Sequence, residues 1–105
     1  MKPNLKILPV FCLAAFISAP VFAQSAADTY KTKCLMCHGA DGLGNTTVGK
    51  SLKIVSFKDP SVMKSSNAEL AEIIKNGKNK MPANKTTLSD AQISALVEYI
   101  RTLEK

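Results

Sequence analysis

The sequence predicts an all-α domain of short helices joined by long loops, and three observations carry that expectation. Ile93, Leu96, Val97, Ile100 and Leu103 recur at helical spacing behind a Ser89/Gln92 capping box. No alternating apolar–polar run of useful length marks a strand. A five-residue stretch, Cys34-Leu35-Met36-Cys37-His38, is the point round which the other elements are arranged.

The chain of 105 residues allows one domain. Its first 23 residues read as a secretory signal peptide: Lys2 and Lys6, an apolar run from Ile7 to Ile17, then Val21-Phe22-Ala23 as a small-residue cleavage site before Gln24. The apolar run falls short of the ~20 residues that a spanning helix needs. Cys12 leaves with this leader, so Cys34 and Cys37 are the cysteines of the domain, residues 24–105. Lys2 and Lys6 leave too, and the domain keeps an excess of basic over acidic residues. Tyr30, Phe57 and Tyr99 are its aromatic residues, and so short a chain is marginal on its own core.

Within the domain, Ser25 or Asp28 caps a first helix running to about Cys34, with Ala27, Tyr30 and Cys34 on one face. Gly39, Gly42 and Gly44 stop it. Residues 45–57 read as loop, its apolar members Val48, Leu52, Ile54, Val55 and Phe57 available to pack on a bound group. Asp59-Pro60 starts a short helix through Met63 or Lys64. Ser66 or Asn67 caps a helix to Asn76, stopped by Gly77, with Leu70, Ile73 and Ile74 inward. A polar loop, 77–85, holds Met81 just before Pro82, which biases Met81 to an extended conformation. The last helix packs, and the first helix is its expected partner.

The central stretch reads C-x-x-C-H, the attachment pattern of a c-type haem. Thiols three positions apart each reach a vinyl group on one porphyrin edge. The histidine that follows lies against the ring face, where a nitrogen coordinates iron. Two other uses of a C-x-x-C pair fail on this sequence. A thiol–disulfide site needs a βαβ pattern, and a zinc site needs about four ligands, whereas no Cys or His follows His38. The implied cofactor is one haem c per chain, and a buried porphyrin supplies apolar mass that the sequence lacks.

With His38 on one side of the iron, the other side has no second histidine to take. Methionine sulfur suits iron in this role. Met36, between the two cysteines, is tied to the His38 side. Met81, in its proline-stiffened loop, is the favoured ligand; Met63 and an open position are the alternatives.

The chain resembles the small single-haem class I cytochromes c of bacterial periplasms and photosynthetic organelles. The resemblance lies in Cys34 to Gly42 (CLMCHGADG), in Met81-Pro82 and in Leu96-Val97-Glu98-Tyr99-Ile100, and it spans essentially all of residues 24–105. It implies the class I fold, three to five helices wrapped round one covalently bound haem. It also implies thioether bonds at Cys34 and Cys37, axial ligands His38 and Met81, and terminal helices crossing near Tyr30 and Tyr99. Family members often carry Gly-Pro-x-Leu after the haem motif, the proline carbonyl accepting a bond from the ligand histidine. Here Gly49-Lys50-Ser51-Leu52 stands in that place, which leaves the Lys50 carbonyl for the task.

The function expected from these readings is a soluble periplasmic single-electron carrier, not an enzyme, shuttling between membrane redox complexes. No acid–base constellation accompanies His38. The alternatives are a haem enzyme or gas sensor with a labile sixth ligand for peroxide, NO or CO, and an electron-transfer subunit of a larger oxidoreductase. Lys75, Lys78, Lys80 and Lys85 surround Met81 in sequence, and Lys50, Lys53 and Lys58 cluster earlier. They form a basic ring for redox partners with acidic docking surfaces, or else merely solvate the surface. Nucleic acid is not an expected partner of an exported haem protein. No membrane span remains after signal cleavage, and the expected state is a monomer.

Overall fold

A computed structural model describes residues 21–105, with side chains from Ala26 onward. The expected leader, apart from its last three residues, lies outside the described residues. The elements in order are α1 (Val21–Lys33), α2 (Leu35–His38), α3 (Thr47–Ser51), α4 (Pro60–Met63), α5 (Asn67–Asn76) and α6 (Asp90–Leu103). The described residues are thus helical as expected, with six helices in place of three to five. Two of them, α2 and α3, are short turns that the residue pattern did not mark.

Each of the longer helices after α1 starts where its cap chemistry dictates. Ser66 accepts a bond from the Glu69 amide at the head of α5. Ser89 and Gln92 exchange both bonds of a capping box at the head of α6. Asp59 caps α4 through the Ser61 amide, with Pro60 at the first helical position. The start of α1 differs from expectation. It begins at Val21, ahead of Ser25 and Asp28, because no breaker interrupts the run from Val21 to Lys33 and tertiary packing overrides a weak internal capping signal. It ends at Lys33, and the chain restarts one residue later as α2, which Gly39 terminates.

The core lies between the terminal helices and α5. α1 and α5 both pack on α6, which buries Ile93, Leu96, Val97 and Ile100. Tyr30 of α1 and Leu96 of α6 are the most deeply buried large side chains. Tyr30 and Tyr99 meet where the terminal helices pack, ring centroids 5.1 Å apart. Leu103 is half-buried and packs against the edge of the same core, so the inward stripe of α6 runs to its last turn. On α1 the buried positions are Ala26 and Tyr30, with Ala27 at the border, a rotation of the expected face.

Arg101 joins the end of α6 to the α4–α5 region. Its guanidinium donates to the carbonyls of Val62 and Ser65, to Asn67 Oδ1 and to Glu104. The planar fork serves four acceptors at fixed angles, which a lysine cannot do. This tether fixes α5 against α6, and those helices supply one wall of the site.

Candidate haem site

The site forms where α1 breaks into α2. The Cys34 amide still donates to the Tyr30 carbonyl, and the His38 amide donates back to the Cys34 carbonyl. Cys34, Cys37 and His38 are therefore presented from one short, hydrogen-bonded turn. Both cysteines are free and half-buried. Burial pushes the Cys34 thiol up, partly offset by Lys33 beside it.

The Tyr30 hydroxyl donates to the Gly39 carbonyl at 2.5 Å, anchoring the residue after His38 to α1. That hydroxyl is buried, and desolvation raises its pKa strongly, so it stays protonated and remains a donor. Phe57 stacks on the His38 imidazole, centroids 4.7 Å apart and planes 26° apart, and packs its edge against Tyr30. Sequence reasoning had placed Phe57 only among loop residues available for packing. Tyr30 carried a signal, one turn ahead of Cys34; nothing in the pattern marked the Phe57 stack.

A cleft opens beside this turn. One lobe, about 540 Å³, has almost wholly apolar walls that include Leu70, Ile73 and Ile74 of α5 and Leu96 and Ile100 of α6. A second lobe, about 450 Å³, runs past Leu52 and Ile54 to Lys33, Lys80 and Asn84. Cys34, His38 and Met81 line both lobes. The residues of α5 and α6 that periodicity assigned to plain core thus also form a wall of the cleft.

Of the methionines in the described chain, Met81 alone faces this cleft. Met36 is 70% exposed and Met63 is 49% exposed, so Met63 is not a core residue. Met81 is held by reciprocal backbone bonds with Lys78, at 2.9 and 3.1 Å. Gly77 passes close beneath it: with φ at +77°, a β-carbon there would lie 2.6 Å from the Met81 carbonyl oxygen. A larger residue at 77 would push the methionine out of place.

Residues 45–57 contain a helix where a loop was expected. Thr46 caps α3, accepting from the Gly49 amide and donating to the Met36 carbonyl at 2.6 Å. Within this stretch Leu52, Ile54 and Phe57 turn to the cleft, whereas Val48 and Val55 are exposed. The Lys50 carbonyl does not hold His38. It accepts from the Lys53 amide at the end of α3 instead, since without proline the segment winds into a helical turn and turns its own carbonyls to capping.

His38 Nδ1 is buried with no hydrogen-bond partner. Burial lowers the pKa of the imidazole, which keeps it neutral with a lone pair to give. An orphaned buried nitrogen costs about 1–3 kcal/mol. A neutral imidazole, a thioether and two thiols round an apolar cleft are the donor set that a covalently held haem requires, so the residues present fit the group.

The fold and this donor set define a c-type cytochrome. The family described as cytochrome c oxidase, cbb3-type, subunit III matches residues 22–100. Cytochrome c6 of a Synechococcus strain is 35% identical over 95% of this chain and 91% of its own length. Among solved structures, the c-type cytochrome KustC0563 superposes with a TM-score of 0.69 at 30% identity, covering 76% of this chain and 98% of that one. The chain belongs to the small class I cytochromes c. Its cofactor is covalently bound haem c, and it is a haem protein of electron transfer.

Proposed function

We propose that the chain is a one-electron carrier of the periplasm, with Cys34 and Cys37 bonded to the porphyrin and His38 and Met81 as the two axial ligands. The observation that carries this reading is the convergence of His38 and Met81, distant in sequence, on both lobes of one cleft. When bound, the haem supplies one-electron chemistry as iron alternates between ferric and ferrous states. The thiols of Cys34 and Cys37 would hold the group covalently, as thioethers. As a ligand, the Met81 thioether would favour the ferrous state and raise the potential relative to harder ligands. The apolar walls from α5 and α6 would exclude water from the bound group, which also disfavours the extra charge of the ferric state.

The visible spectrum tests the ligands. The oxidised holoprotein shows the weak red sulfur-to-iron band, and the colour survives acid–acetone extraction. Met81→Ala abolishes the band and lets the reduced protein take up CO rapidly; Met63→Ala leaves both unchanged. A high-spin oxidised spectrum in the unaltered protein rejects the closed-iron carrier and favours a haem enzyme or gas sensor.

The mouth of the cleft is basic. Lys33 and Lys80 line its second lobe, and Lys50, Lys53, Lys58, Lys78 and Lys85 are exposed nearby in sequence. Lys75 is tied to Asp90 at 3.2 Å and belongs less to this set. An acidic redox partner is the complement. Its second-order reaction with this protein slows about tenfold between low and physiological salt, and Lys53→Glu with Lys80→Glu mimics that loss. Rates indifferent to salt assign the lysines to solvation alone.

No described helix is long and apolar enough to cross a membrane. The family description, which names an oxidase subunit, favours a second reading as an electron-transfer subunit of a larger assembly. Co-purification with membrane oxidase subunits at fixed stoichiometry distinguishes it from a free carrier, which elutes as a monomer.

A further inference from the structure

We propose that Asn84 is a positioning residue for Met81: its side-chain amide clasps the Met81–Pro82 segment to the end of α5 and so sets how firmly the sulfur is held. The inference rests on the reading of Met81 as an axial ligand.

The loop that carries Met81 is mostly exposed: Lys78, Asn79, Lys80, Pro82 and Ala83 all face solvent. Asn84 is the half-buried polar side chain in it. Its Nδ2 donates to the Ile74 carbonyl at 3.0 Å and to the Pro82 carbonyl at 3.3 Å. The first acceptor belongs to the last turn of α5, and the Ile74 side chain forms part of the apolar lobe. The second acceptor is the residue directly after Met81. One amide group therefore spans from the helical wall to the methionine segment, and Asn84 itself lines the second lobe beside Met81.

Backbone bonds reinforce the same corner. The Asn84 amide donates to the Ile74 and Lys75 carbonyls at 3.2 and 3.1 Å, and the Lys85 amide to Lys75 at 3.0 Å. These survive any substitution at 84 other than proline. The side-chain bonds do not. Removing them leaves the Ile74 carbonyl with its backbone donor and frees the Pro82 carbonyl toward water, so the fold keeps its hydrogen bonds while the methionine segment loses its strap. Without that strap the segment is held by the Lys78–Met81 pair and the close pass at Gly77.

A net hydrogen bond corresponds to about a tenfold change in a local opening equilibrium. Opening frees the sixth position, and CO captured by the reduced haem protein reports it directly. Asn84→Leu, close in volume, raises the CO capture rate about tenfold while the oxidised protein at rest retains its sulfur-to-iron band. Asn84→Ala, which cannot overfill the site, gives the same rise. In urea, the band of both variants disappears well before the helical signal. Ser66→Ala is the structural control: it removes the cap at the far end of α5, lowers global stability comparably, and leaves CO capture unchanged.

CO capture by both Asn84 variants at the unaltered rate overturns the proposal, as does an equal rise in Ser66→Ala. A sulfur-to-iron band that persists in Met81→Ala instead overturns the ligand reading beneath it.

Discussion

Replacing Cys34 and Cys37 together by serine yields a chain that neither retains haem through acid–acetone extraction nor unfolds cooperatively. The reason lies in the size of the core. Its members are few, and several of them, Tyr30, Phe57, Leu70, Ile74, Leu96 and Ile100, also line the apolar lobe. Without a covalently held apolar partner this lobe is left unfilled. A domain this short has about 5 kcal/mol of stability to lose, and losing the packing of that partner exceeds it. Far-UV circular dichroism across a urea titration reads the outcome: low helicity and no sigmoidal transition are expected. Cys34→Ser or Cys37→Ser alone keeps one thioether and falls between the parent and the double variant. A double variant with the parent's helicity and midpoint would show that the protein core folds independently of the cofactor.

The second large effect is expected at Gly49, which carries no chemistry. A β-carbon there would collide with the Cys37 carbonyl oxygen, lie 2.5 Å from the Gly44 carbonyl oxygen and 2.9 Å from Thr46 Oγ1. The first two are backbone atoms, so no side chain can turn aside. Gly49→Ala therefore parts α3 from the haem-motif turn, at a cost of about 3 kcal/mol. The displacement reaches the motif itself, because Thr46 holds the Met36 and Cys37 carbonyls. Urea midpoints should fall accordingly and haem loading in a maturing host should drop. The neighbouring Lys50→Ala, at an exposed position, stays within ~0.5 kcal/mol of the parent. Equal midpoints for the two variants would refute the close-approach account.

Much of this molecule is local and therefore readable from the chain. Cap bonds form between residues two or three apart, so the heads of α4, α5 and α6 follow from Asp59, Ser66 and Ser89. The haem motif is five consecutive residues, and its chemistry needs no tertiary partner to be recognised. The start of α1 was misread because Ser25 and Asp28 are cap residues by composition, and a helix packed on α6 tolerates them in its interior. α3 was missed because a single turn has no periodicity to detect.

By itself the sequence determined the class of the protein, its cofactor and the candidates for its ligands, since each depends on residue type at short spacing. Only the tertiary structure decided which methionine shares a cleft with His38, that the Lys50 carbonyl caps α3 rather than the imidazole, that Phe57 stacks on His38, and that Asn84 bridges α5 to Pro82. Apart from the Lys50 bond, these bring together segments that are separated in the chain. They are set by how α5 and α6 close over the haem-motif turn, and no short-range pattern of residues encodes that closure.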